Sequence, residues 1–329
     1  MKRKIAKAKM RMEMILREFF LKSKYYSFSY AIYSTAWWLG WYIPACSSWA
    51  YWGLKKKTNW IDRYFRKNYS HIIEKYKNYS AKEELVGEYN IWVFWAQGEE
   101  NMPELVRACY KNLCKQNGGG RVKLLTMDNV EEYVNMPQYV FEKLKRRVVS
   151  YTHFSDILRI SLLAKYGGLW IDATCWVAQE IPLFIKNMPF YSCKTNGVNL
   201  PSLWSNSRWC SWSLGSSNKG NILFLFVRDM LLEHARKERC WIDYLLLDYL
   251  LNFAYNEFDE CRKLIDDVPE NNVKRNELWG VMNQKYDENR YNEIIKDTWL
   301  FKLSYKTELN EKTVDGEGTF YGKMIKGEL

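Results

Sequence analysis

Histidine is scarce, with three in 329 residues, and the eight cysteines show no C-x-x-C pair and no regular interval. Zinc sites and disulfide frameworks need closely spaced Cys and His, so neither organises this chain. Unpaired thiols fit a reducing compartment, and a cytoplasmic location is expected. No secretory leader is expected either, since the basic opening stretch is followed by no compact apolar core and no small-residue cleavage site. There is no internal repeat and no low-complexity tract. The longest absence is of charge, over residues 25–54, "YYSFSYAIYSTAWWLGWYIPACSSWAYWGL". Such a run is long enough to cross a bilayer. It is, however, rich in Ser, Tyr and Trp, interrupted by Pro44, and flanked by lysine on both sides, a pattern of segments that lie in the cytosolic leaflet.

Aromatics are abundant, with 16 Trp and 24 Tyr. Rings with one polar edge suit sugar or base stacking and membrane interfaces. The net charge is +11, but residues 1–24 hold nine Lys or Arg against two Glu, so the rest of the chain carries only about +4. A nucleic-acid binder places its basic patch on the folded body. An N-terminal basic arm instead fits anionic headgroups, so a membrane surface met through residues 1–54 is expected and a nucleic-acid partner is not. The competing reading packs the same aromatics against the body.

Residues 1–85 read as a basic, aromatic helical region, with 55–85 as a Tyr-rich connector. Residues 86–329 read as one α/β domain. A strand is predicted from Ile91 to Trp95, then a helix opened by Pro103 with Leu105, Val106, Cys109, Tyr110 and Leu113 on one face. "RVKLLTMD" gives a second strand, and two short helices follow around Pro137. Ser155 is the expected N-cap of a helix to Tyr166, with Gly167-Gly168 as its stop and a strand over 169–177. This alternation predicts a parallel, doubly wound sheet over 88–180. Beyond it, "PFYSCKT" is a further strand candidate, 216–266 read as mainly helical, and 278–329 as irregular.

The stretch "HFSDILRISLLAKYGGLWIDATCW" carries the chemistry. Asp156 and Arg159, three apart, share a helix face near its start, and Asp172 closes an apolar run with Thr174 on the same side. Helix N-termini and strand carboxyl ends lie together beside the crevice of an open sheet, so three charges from two elements converge there. Singly, each has a bland explanation: a surface ion pair, or a residue that ends a strand.

This stretch resembles the Ser-Asp-x-x-Arg…Gly-Gly-x-Tyr/Trp-x-Asp-x-Asp signature of sugar-nucleotide transferases with a GT-A (Rossmann-like) fold. It is most similar to glycosyltransferase family 32 and its capsular polysaccharide synthesis branch, and shares its constellation with the clostridial glucosylating toxins. "NIWVFWAQGEENMPELVRACYKNL", "RWCSWSLGSSNKGN" and "WIDYLLLDYLL" extend the match over roughly residues 88–255. The resemblance implies retaining transfer of a hexose from a UDP-sugar to a lipid-linked or growing oligosaccharide. Trp95 would stack on the uracil with Gln97 close by, Asp156 and Arg159 would hold the donor sugar, and Asp172 would face the ribose and a metal-bound diphosphate. The divalent ion, Mn²⁺ or Mg²⁺, would neutralise the leaving group.

The sequence departs from the signature at its second acid, which is Thr174, a weaker ligand beside Asp172. Asp243 and Asp248 are candidate substitutes, but five apart on a helix they point in different directions, so at most one faces the crevice. No residue stands out as a catalytic base, which agrees with a front-face mechanism in the related families. Ser216, Ser217, Asn218 and Lys219 form a Gly-bounded loop before a helix, a candidate diphosphate or acceptor contact through Lys219. Tyr321 is placed in a C-terminal lid. A non-catalytic nucleotide-sugar-binding module with a degenerate metal site is the alternative.

Overall fold

The computed structural model describes residues 2–43, 47–80, 82–117, 121–195 and 204–329. The basic, aromatic N-terminal region folds as four helices, α1 (Lys2–Tyr25), α2 (Phe28–Tyr42), α3 (Ser47–Asn68) and α4 (Ser70–Lys77). Ser27 starts α2, its hydroxyl accepting from the Tyr30 amide at 3.1 Å. Pro44 lies outside the described residues, between α2 and α3. Among the described residues, no helix is long and apolar enough to cross a membrane.

One face of this helical region packs inward, as the competing reading expects. Tyr30 and Trp60 stack 4.5 Å apart, and the buried Tyr30 hydroxyl donates to the Ile242 carbonyl at 2.6 Å. Lys57 Nζ lies 2.7 Å from Asp243 Oδ2, both side chains fully buried, with the ammonium over the rings of Trp37 and Trp204 at 3.8 and 4.8 Å. The opposite face leaves Phe20, Phe28 and Trp49 about 60% exposed or more.

The central sheet has the order β3-β2-β4-β7-β6, from β2 (Ile91–Phe94), β3 (Val122–Leu125), β4 (Gly168–Ile171), β6 (Tyr191–Ser192) and β7 (Ser213–Ser216). Two small pairs flank it: β1 (Glu84–Leu85) with β8 (Asn218–Lys219), and β5 (Cys175–Val177) with β9 (Leu300–Lys302). β2 runs parallel to β3 and β4, as the alternating pattern predicts; β7 and β6 are antiparallel, so the sheet is mixed. β7 lies between β4 and β6 and runs antiparallel to both, so β6 keeps the direction of β4.

Between β2 and β4 lie α5 (Glu104–Gln116), α6 (Val130–Tyr133), α7 (Gln138–Lys145) and α8 (Tyr151–Tyr166). Ser150, not Ser155, caps α8, in a reciprocal capping box with His153, so this helix starts a turn earlier than expected. Gly167 and Gly168 then turn the chain at φ +64° and +86°; a Cβ on Gly168 would lie 2.3 Å from the Asn90 carbonyl oxygen. The expected strand over 169–177 is two strands, because the chain turns at Asp172, whose carbonyl accepts from the Cys175 amide at 2.9 Å.

With Leu183–Lys186 as α9, the C-terminal part holds α10 (Ile222–Lys237), α11 (Leu246–Glu257) and α12 (Asp259–Asp266), followed by α13 (Glu277–Val281), α14 (Glu288–Ile295), β9 and α15 (Phe320–Ile325). Residues 278–329 are thus not irregular. Tyr321, on α15, is buried and donates to Glu104 Oε2 at 3.0 Å, so it anchors this segment to α5 and forms no lid. The largest apolar cluster joins Tyr30, Trp37, Phe65 and Tyr76 to Trp92, Phe154 and Phe224, so the core is continuous across residue 85.

Candidate active site

A cleft of about 790 Å³ opens where β2 and β4 end and α8 begins. It gathers Trp95 and Gln97 from the turn after β2, Asp156 and Arg159 from the first turns of α8, and Asp172 and Thr174 from the turn after β4. The convergence expected from the sequence is present. It also gathers two groups from far along the chain: Asp248, at the start of α11, and Lys302, the last residue of β9.

Arg159 is the buried hub. Its Nη2 lies 3.2 Å from Asp172 Oδ1, 3.4 Å from Asp156 Oδ1 and 3.3 Å from the Ser155 hydroxyl, while Nη1 donates to the Ser211 carbonyl. Its guanidinium also lies 5.0 Å from the centre of the Trp170 ring. Ser155, which does not cap the helix, helps hold this group instead.

Asp172 is held from both sides. Oδ1 accepts from Trp170 Nε1 at 3.0 Å and Oδ2 from Lys302 Nζ at 2.6 Å. Burial alone would raise its pKa, but Lys302 and Arg159, with the hydrogen bonds from Lys302 and Trp170, hold it below the usual carboxylate value. For Asp156 burial wins over Arg159, and its carboxyl is pushed up to about 7, with Asp248 and Asp172 adding to the rise. Burial also raises Asp248, against hydrogen bonds from Trp209 Nε1 at 2.9 Å and the Ser211 hydroxyl at 3.4 Å. Of three neighbouring carboxyl groups, burial pushes Asp156 and Asp248 up, while the cations beside Asp172 hold it down.

Trp95 stands at the cleft mouth, its ring 5.7 Å from that of Tyr305, edge to face. Of the two candidates from "WIDYLLLDYLL", Asp248 faces the cleft and Asp243 is spent on Lys57. Lys219 is not at the cleft: it sits on β8 and pairs with the exposed Glu84 at 2.6 Å. Ser216 and Ser217 are likewise used locally, the Ser216 hydroxyl lying 2.7 Å from both the Pro189 and Asn218 carbonyl oxygens and Ser217 donating to the Asn218 side chain.

A divalent ion held by Asp172 and Thr174 does not fit this donor set. The Lys302 ammonium bonds Asp172 Oδ2 and also donates to the Thr174 hydroxyl at 2.9 Å, so both would-be ligands already serve one cation. A metal bound at the same oxygens would stand a few ångströms from that ammonium, where like charges repel strongly. Among the described residues there is no group of three His, Cys, Asp or Glu placed to hold a metal. Lys302 is a cleft residue that sequence reasoning missed. Its only sequence signal, a lysine after "WLF", is indistinguishable from a solvated one.

The fold and the cleft define an α/β protein with an aromatic-edged, charged ligand crevice beyond the carboxyl ends of its parallel strands. The chain belongs to the capsular polysaccharide synthesis protein family, whose model matches residues 52–324. It is also 28% identical over 110 residues to an O-glycosyltransferase, braB, of Annulohypoxylon truncatum; the match takes in 31% of this chain and 26% of that protein's length. A solved glycosyltransferase structure, PaToxG, aligns at 12% identity with a TM-score of 0.38, covering 76% of this chain and 98% of its own.

Proposed function

We propose that this protein is a retaining glycosyltransferase with a GT-A-like core, transferring a hexose from a UDP-sugar to a lipid-linked or growing oligosaccharide. The observation that carries this reading is Arg159 held between Asp156 and Asp172 at the foot of a cleft edged by Trp95. Trp95 and Tyr305 offer ring faces to a nucleobase, with Gln97 beside them for its polar edge. Asp156 and Arg159 supply an acceptor and a donor for sugar hydroxyls, which orients the anomeric carbon. In the reaction the bond from that carbon to the diphosphate breaks and one to the acceptor oxygen forms. The acceptor's proton leaves on the departing phosphate oxygen, so no protein base is required.

His153 supports that assignment, since burial lowers its pKa to about 4 and it stacks on Trp241 at 4.6 Å, outside the cleft lining. The exposed aromatic face of α1–α3 and the basic arm fit a protein that works against an anionic membrane surface, where a lipid-linked acceptor lies.

The test is UDP release from a panel of UDP-sugars, which needs no acceptor. We expect release from one or two sugars, reduced about a hundredfold or more in both Asp156→Asn and Asp172→Asn. UDP binding with no release from any sugar, even with acceptor lipid extract present, would leave the non-catalytic binding module as the correct reading.

A further inference from the structure

We propose that Lys302, rather than a divalent ion, provides the positive charge that binds the donor's diphosphate, so that nucleotide binding is independent of metal. This rests on the nucleotide-sugar reading above. An ammonium carries three N–H donors. At Lys302 two are spent, on Asp172 Oδ2 at 2.6 Å and Thr174 Oγ1 at 2.9 Å. The third has no hydrogen-bond acceptor among the described residues, although the Trp212 ring centre lies 5.8 Å from the ammonium, and about a quarter of the side chain stays exposed. Register fixes its place: Lys302 pairs across the β5–β9 ladder with Cys175, directly after the Asp172–Thr174 turn. The ammonium is therefore aimed by strand pairing and two hydrogen bonds, and does not roam on a flexible stem.

This arrangement accounts for Thr174. A carboxylate there would pair with Asp172 as a metal-binding couple. A hydroxyl is a weak metal ligand but a good acceptor for an ammonium, and it leaves Lys302 with charge not cancelled by a second acid. Asp172 is then a positioning residue for the cation. Lys306, in the bend four residues beyond, also lines the cleft. Charge-assisted contacts of this kind stabilise a leaving diphosphate in the same sense as a metal would.

The experiment is calorimetric binding of UDP and of uridine to the full chain, in EDTA and in millimolar Mn²⁺. For the native protein the UDP affinity should agree within about threefold in the two buffers. Lys302→Ala should weaken UDP binding about tenfold or more while uridine binding stays within about threefold, measured at a temperature where its melting curve shows the variant folded. Lys302→Arg should stay within about threefold of native, as it keeps the charge. Native UDP binding that is lost in EDTA would overturn the inference and leave the transferase reading intact. So would a Lys302→Ala variant that binds UDP as tightly as native. Failure of the native chain to bind UDP in either buffer would instead remove the UDP-sugar reading, and this inference with it.

Discussion

Asp156 shows most clearly how the site opposes the stability of the fold. Its carboxyl titrates near 7 in the folded chain against 3.8 for an unperturbed aspartate, because burial disfavours the charged form. The folded state therefore keeps a proton that the unfolded state releases, and the group's contribution is full below about pH 4 and lost as pH rises through 7. Asp156→Asn, neutral throughout, should be more stable than native, with a gain on the order of 2 kcal/mol larger at pH 8 than at pH 5. Thermal melting at the two pH values checks this; an equal shift at both would show that Asp156 does not titrate in that window. A variant that is stabilised yet inactive is the usual mark of a residue kept for function. Much of this site was legible in the sequence, because Asp156, Arg159 and Asp172 lie within 17 residues and helix and strand periodicity say where they point. Lys302 was not, because nothing local distinguishes a lysine 130 positions away whose partner is set by strand pairing.

Elements bring distant groups to the cleft through a few specific joints. The wall formed by Tyr244, Leu245 and Asp248 directly follows Asp243, and Asp243 is pinned by Lys57 of α3. Removing one partner of a fully buried pair leaves the other charge without compensation. Asp243→Asn should therefore cost about 3–5 kcal/mol, whereas Lys57→Met combined with Asp243→Leu should recover most of that loss. Urea unfolding midpoints measure both; additive losses in the double variant would contradict a paired role. The helices and the three parallel strands followed from periodicity and from the Gly-Gly stop. The β7–β6 side of the sheet and the β5–β9 pair did not, since short strands of two to four residues carry too little pattern to announce a partner. The split of 169–177 was hidden because Asp172 and Thr174 keep the alternation of a strand while the backbone turns.

For the whole molecule the asymmetry of α1–α3 matters most: one face locked to the body, the other rich in exposed rings beside a basic arm. Not all of that arm's charge faces outward, since Lys22 is buried against Ser34 at 3.0 Å. Binding to vesicles containing an anionic phospholipid should exceed binding to neutral ones and weaken with salt. Replacing Phe20, Phe28 and Trp49 together by Ser should cut it about tenfold without lowering the melting temperature, because these side chains are exposed. Unchanged flotation of that variant would rule out this face as the membrane contact.

The inward face has a different consequence, in time. Tyr30 meets Ile242 across 212 residues of chain, and Lys57 meets Asp243 across 186. At ribosomal rates of about 5–20 residues per second, the first helices emerge roughly 10–40 s before the groups that cover them. For that interval Tyr30, Trp37 and the Lys57 ammonium lack the part of the body that later covers them, so the first helices made wait on chain made more than 180 residues later.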